Sequence, residues 1–346
     1  MIMPRSNSFT RPIPASLANL SLQYLVMDTN HLDVVIPPGL GNLAGDPWMS
    51  KRSKMPSPLQ HFGLAENNPR GKLLPFLWNL SSLMKFQINF NMPHGTIPPN
   101  SGHEFPIIQL FDLNDNQFSG PIPSSLNNIS TLTILDLSAN NFTGPVSYTI
   151  ERLNSLVRPF LGEDGLEADE GKGLEFVASL ANCSQLQGLT LSDNYFSAKL
   201  LRAIVNFSTT LQEFYLHNNR FTGSIPEDIS NLIGLNLLYL GINPISGVIP
   251  KSIGKLTNSG VVILCYTSLS GLIPSSVGNL TNLNKLDESY SNLRGPIPAS
   301  LGNLKLSLLD LSHNHLNGSI PKEVLEVASL SYFLKLVAYL DPSHQK

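Results

Sequence analysis

The chain has 346 residues, a formal net charge of −3 and only 14% charged residues. That balance excludes a nucleic-acid partner, because neutralising a phosphate backbone needs a basic stripe. Its two cysteines, Cys183 and Cys265, are too few for a disulfide framework, and no Cys or His pair sits at metal-ligand spacing, so neither a metal nor a cofactor is expected.

In chain order, the N-terminal segment MIMPRSNSFTRPIP contains no apolar run, so no secretory signal is expected there. From Ile13 onward, Ile-Pro pairs act as rulers: Ile13, Ile36, Ile97 and Ile122 fill one slot, and Val146 fills it without its proline. Residues 44–58, from Ala44 to Pro58, are surplus to the spacing and read as an irregular inserted loop. A degenerate coil follows them, with Leu59, Phe62, Leu64, Asn67 and Gly71, closed by Leu73. Leu156, Leu161, Asp164 and Leu166 form a weaker coil, and residues 163–175, acid-rich from Glu163 to Lys172, read as a solvated inserted loop. Beyond it, Ile225, Ile249, Ile273 and Ile297 lie 24 residues apart, and Ile320 follows after 23. Residues 322–346 read as a degenerate last coil. Its apolar stretch Val324–Leu340 is interrupted by Glu326 and Lys335 and is too short to span a bilayer.

Each anchor ends one template, L-x-x-L-x-L-x-x-N-x-L-x-G-x-I-P. Around Ile225 it reads Leu211, Phe214, Leu216, Asn219, Phe221, Gly223. The L-x-L alternation has period two and predicts a short strand with leucines inward. The asparagine can satisfy backbone groups of the turn that follows, Gly permits the next bend, and Pro ends hydrogen bonding there. One coil cannot bury its own leucines, so neighbouring coils must stack. The expected fold is an α/β-type solenoid: a curved rod of about thirteen 24-residue coils, a single domain over 1–346, with a parallel β-sheet on its concave face. Glu288 and Pro159 occupy inward slots, and Thr267 and Ser291 replace the turn asparagine.

The segments GLIPSSVGNL (Gly271–Leu280), FVASLANCSQLQGLTLSDNYF and SIPKEV (Ser319–Val324) resemble the plant class of leucine-rich repeats. They are most similar to ectodomains of the receptor-kinase subfamily that includes flagellin and elongation-factor sensors. The resemblance implies a truncated ectodomain on the extracellular face of the plasma membrane. It would bind a peptide or protein ligand, with a co-receptor leucine-rich-repeat kinase as further partner. No glycine-rich nucleotide loop, HRD or DFG occurs in the sequence, so no enzymatic activity is expected of this chain. Two other readings remain open: a soluble inhibitor of pathogen enzymes, similar to polygalacturonase-inhibiting proteins, and a non-functional truncated paralogue.

Outward strand residues stack into columns on the concave face. They run Tyr215, Tyr239, Ile263, Asp287, Asp310; then His217, Gly241, Cys265, Ser289, Ser312; then Asn218, Ile242, Tyr266, Tyr290, His313. Tyr215, His217, Tyr239, Tyr266 and Tyr290 are the candidate ligand contacts, because tyrosine buries much area with few rotors and keeps a polar tip. The upstream face (Asp112, Asn114, Asp136, Ser138, Thr190, Ser192, Asp193) is smaller and more acidic. Glycosylation sequons begin at Asn19, Asn79, Asn128, Asn141, Asn182, Asn206, Asn279 and Asn317. Cys183 and Cys265, more than three coils apart, would sit roughly 15 Å from each other, beyond disulfide reach.

Overall fold

The computed structural model describes residues 1–10, 13–20, 22–32, 37, 40, 59–169, 175–200, 207, 209–327 and 329. The loop expected at 44–58 and the end of the chain from 330 onward lie outside the described residues. The chain divides into two compact units: Met1–Asp169 with Asn182–Gln185, and Glu170–Ala181 with Leu186–Lys346.

In the first unit, three-residue strands stack in parallel in the order Tyr24–Val26, His61–Gly63, Lys85–Gln87, Leu110–Asp112, Ile134–Asp136, Arg158–Phe160. Their central side chains point inward as the alternation requires, and three of them are phenylalanines. Phe62 stacks on Phe86 at 5.7 Å and Phe86 on Phe111 at 5.7 Å. Trp78 packs within 6.2–6.5 Å of Phe86, Phe105, Phe111 and Phe118, so this core is an aromatic spine rather than a leucine one. In the second unit the order is Gly188–Thr190, Glu213–Tyr215, Leu237–Tyr239, Val261–Ile263, Lys285–Asp287, Leu308–Asp310, again parallel. Leu216, Leu240 and Leu264 are at most 1% exposed, as a leucine spine demands.

Each coil turns out of its strand through one left-handed residue. Thirteen non-glycine residues have φ between +50° and +56°, from Ser6 through Asp115, Asn218 and Tyr290 to His313, which marks thirteen coils among the described residues. The residue after it is the template asparagine, and its reach exceeds the sequence expectation of a local turn. Asn243 donates Nδ2 to the carbonyls of Leu240 and Gly241 in its own coil and of Leu216 in the coil before, while its Oδ1 accepts from Phe221 N–H. One side chain thus ties two coils at four points, each point contributing on the order of 1 kcal/mol. Thr267 keeps the bond to Leu264 O and leans on the Ser291 hydroxyl at 2.9 Å, a thinner version of the same tie.

The template's x-G-x segment is more than a bend. It forms a second row of parallel strands, five in the first unit (Arg70–Lys72, Met92–Gly95, Gln117–Gly120, Asn141–Pro145, Gly165–Glu167) and four in the second (Ser246–Val248, Ser268–Gly271, Asn292–Gly295, His315–Leu316). This corrects the reading of 163–175 as a loop at its start: Asp164 fills the asparagine slot and Gly165–Glu167 is a strand. Residues 170–174 lie outside the described set.

The anchor proline serves as the N-cap of a five-residue 3-10 helix, as at Pro226, Pro250, Pro274 and Pro298. These helices stack coil on coil so closely that a Cβ on Gly278 would lie 2.5 Å from the Ser300 carbonyl oxygen. The L-G-N-L glycine is therefore a packing requirement.

Both misfit residues are buried as expected. Pro159 sits at the centre of Arg158–Phe160 and leaves that strand one N–H short. Glu288 is 1% exposed. Its Oε2 lacks a hydrogen-bond partner, and burial, then the nearby Asp287 charge, pushes its pKa to about 8.

Candidate functional site

The second unit's sheet face carries the candidate ligand contacts, and they form two groups rather than one patch. In the first group, the ends of the strands Glu213–Tyr215 and Leu237–Tyr239 bring Tyr215 and Tyr239 to the surface, both half-buried. The His217 ring stacks flat on Tyr239, centroids 3.8 Å apart and planes at 14°, and meets Tyr215 edge-on at 6.3 Å. His217 Nε2 lies 3.4 Å from Asp193 Oδ2, while its Nδ1 is buried without a hydrogen-bond partner. Burial lowers the His217 pKa and the Asp193 carboxylate opposes that shift. Asp193 also accepts a 2.6 Å hydrogen bond from Asn218 Nδ2.

Gly241 explains why Tyr239 can lie flat. A Cβ there would meet the Tyr239 ring at 3.1 Å, the Cys265 sulfur at 3.1 Å and the Cys265 carbonyl at 2.8 Å. The column expected to be outward is accordingly covered. Cys265 is only 6% exposed, which corrects its placement as an open face residue. Burial, then the Asp287 carboxylate, pushes the Cys265 pKa to about 12. Burial, then Glu151, takes Cys183 to about 11. Both thiols are free and protonated near neutral pH, so neither is an activated nucleophile.

The second group lies one step beyond the strand ends, on the left-handed turn. Tyr266 and Tyr290 stack at 4.1 Å and 8°, and Tyr290 stacks on His313 at 3.9 Å and 18°. All three have positive φ, a conformation that costs a non-glycine residue on the order of 1 kcal/mol and holds each ring at the same angle as its neighbour's. Tyr266 and Tyr290 are exposed. A hydrogen bond between their phenols raises the Tyr266 pKa.

One residue of this surface, Asp193, escapes the column reading, while His313 already stands in the turn column. Asp193 falls in the acidic upstream group by sequence, yet its turn position registers it beside Asn218 and under His217. His313 continues the tyrosine stack. The 23- to 25-residue spacing of turn positions carries both signals.

The first unit's face has a different chemistry. Asp112 and Asp136 are in register on adjacent strands, and burial, then mutual repulsion, raises Asp112 to about 6. Asp136 is raised by burial against the Ser138 hydroxyl, which donates to it. His61 and Gln87 pair at 3.0 Å on the same face. Among the described residues no group of three His, Cys, Asp or Glu side chains converges to hold a metal, and no helix is long and apolar enough to cross a membrane.

Of the sequon asparagines, Asn79, Asn128, Asn141, Asn182, Asn279 and Asn317 are exposed. Asn182 already donates Nδ2 to Glu151, and Asn128 Oδ1 accepts from Arg152. The side chain of Asn19, and Asn206, lie outside the described residues.

The leucine-rich repeat model matches residues 21–43, 108–129, 131–153, 210–232 and 305–326. A stretch of 75 residues, 22% of this chain and 7% of the relative, is 40% identical to the leucine-rich-repeat receptor-like serine/threonine-protein kinase EFR of Arabidopsis thaliana. Among solved structures, a TDR receptor superposes with TM-score 0.82 at 26% identity, covering 94% of this chain and 53% of that one. The ectodomain of the Arabidopsis receptor kinase HAESA, solved with an extended IDA peptide hormone ligand, superposes with TM-score 0.81 at 31% identity, covering 94% of this chain and 51% of that one. The chain thus spans about half the length of these receptor structures and under a tenth of the curated kinase, and the region matched is ectodomain, outside any catalytic part. Repeat, coil geometry and neighbours agree that this chain is a leucine-rich-repeat solenoid, similar in fold to the plant receptor structures it superposes on.

Proposed function

We propose that the chain is a ligand-recognition module that holds an extracellular peptide or protein on the sheet face of its second unit, through Tyr215, His217, Tyr239, Tyr266 and Tyr290. The observation that carries the reading is the pair of aromatic stacks on that face. Rings already packed at 3.8–4.1 Å are rigid, so a ligand orders little on binding. Such amphipathic rings are the side chains that dominate binding energy at protein interfaces. A structural neighbour that binds a peptide hormone on a comparable solenoid adds weight.

The module itself is read as non-catalytic: it binds, and any phosphoryl transfer belongs to a kinase region of a larger receptor. Its location is the extracellular face of the plasma membrane, and a co-receptor of the same repeat class is a further proposed partner. Calorimetric titration of the purified chain with a panel of secreted plant peptides tests the reading. At least one peptide is expected to bind at micromolar affinity or better. A nucleotide analogue is expected to leave the melting temperature unmoved, and a shift in it would contradict the non-catalytic reading.

A further inference from the structure

A groove of about 680 Å³ runs along the flank of the first unit. One wall comes from the second-row strands Arg70–Lys72, Met92–Gly95 and Gln117–Gly120, the other from the short helices Pro75–Asn79 and Ser101–Glu104. Its volume sits within the range of about 300–1,000 Å³ typical of small-molecule sites. Lys72, His94, Glu104 and Gln117 supply charged and neutral donors and acceptors, while Leu73, Pro75 and Pro98 supply accessible apolar surface.

Asn79 lines this same groove. It is the last residue of the helix Pro75–Asn79, it is exposed, and it opens the sequon Asn79-Leu80-Ser81. We propose that an N-linked glycan on Asn79 folds back into the groove, so that the first unit holds its own sugar as a fixed part of its flank. Attachment exchanges one hydrogen of the Asn79 amide for a bond from Nδ2 to C1 of an N-acetylglucosamine. A lipid-diphosphate oligosaccharide is the donor, and its diphosphate leaves. The first two acetamido sugars then meet matching chemistry. Their hydroxyl and acetamide edges face Lys72, Glu104 and Gln117, and their C–H faces lie against Leu73, Pro75 and Pro98. A polar groove with a strip of accessible apolar surface suits a sugar better than it suits a peptide side chain or a lipid, because a sugar ring presents hydrogen-bonding edges and apolar faces together.

The proposal rests on the extracellular reading only in requiring passage through the secretory pathway. The full chain, secreted from plant cells behind a cleavable leader, is digested with a peptide N-glycosidase in its native state, and each site is followed by glycopeptide mass spectrometry. Asn128 and Asn279 serve as internal references, since each ends the 3-10 helix of its own coil. Release from Asn79 is expected to be many-fold slower than from both references, to become equal after denaturation, and to lose its lag in Thr96→Trp, which fills the groove from its exposed rim. Equal native rates overturn the proposal, as does a lag that Thr96→Trp leaves intact, or a bare Asn79 in a chain glycosylated at both references. A chain bare at all three sites overturns it together with the extracellular location, while peptide binding is read separately by calorimetry.

Discussion

Two acids sit where the repeat wants something else. Glu288 takes an inward leucine slot, and its pKa is raised from 4.5 to about 8. An acid whose folded pKa exceeds its unfolded value is held in its protonated form by the fold. Its burial therefore costs nothing through ionisation below about pH 4.5, and stability falls progressively as pH rises toward 8. At pH 7 the cost is of order 3 kcal/mol. Glu288→Leu is expected to raise the melting temperature, with a larger gain at pH 8 than at pH 5; equal gains at both would mean that the carboxyl is solvated. Asp164 stands in the asparagine slot. Its Oδ1 accepts from Phe142 N–H, but an ionised Oδ2 cannot donate to the carbonyls that Asn140 and Asn243 reach from the same position, and it has no partner. Burial accordingly lifts this carboxyl to about 7. Asp164→Asn is expected to stabilise by about 1–2 kcal/mol at pH 8 and to flatten the stability profile between pH 4 and 7, where the wild type loses stability as pH rises. Chemical denaturation at a series of pH values checks it.

At the scale of the coil, the stacking contact is as specific as the strand. The 3-10 helices Lys251–Lys255, Ser275–Asn279 and Ala299–Asn303 approach so closely that Gly278 has no room for a side chain. Gly278→Val is expected to destabilise by about 1–3 kcal/mol, read as a lower urea midpoint, whereas Lys251→Ala, exposed on the same helical row, should leave the midpoint unchanged. Strands, turn asparagines and anchor prolines were legible in the sequence because each recurs at about 24 residues with a fixed residue type. The second strand row was not: in Gln117–Gly120 the template fixes Phe118 and Gly120, but the pairing depends on stacked backbones rather than on side chains. The same limit hid the burial of Cys265, which follows from Gly241 one coil earlier letting Tyr239 lie flat, a relation between columns that no single repeat displays.

For the whole molecule, function rests on residues the repeat leaves unconstrained, which is why the candidate face could be drawn from the sequence as columns while its stacking order could not. The tyrosines were visible; the pairing of His217 with Tyr239, and the extension of the turn stack to His313, needed coordinates. Unlike Asp112 and Asp136 on the other unit, the tyrosine rings carry no charge that salt would screen, so binding through them should depend weakly on ionic strength. The most direct measurement is the affinity of a peptide that binds the wild-type chain, compared with Tyr239→Ala, Tyr290→Ala and the helical-row control Lys251→Ala. If the aromatic stacks hold the ligand, each tyrosine variant weakens binding by about 2 kcal/mol, roughly thirtyfold, and the control binds as wild type. Wild-type affinity in both tyrosine variants would contradict the assignment of this face.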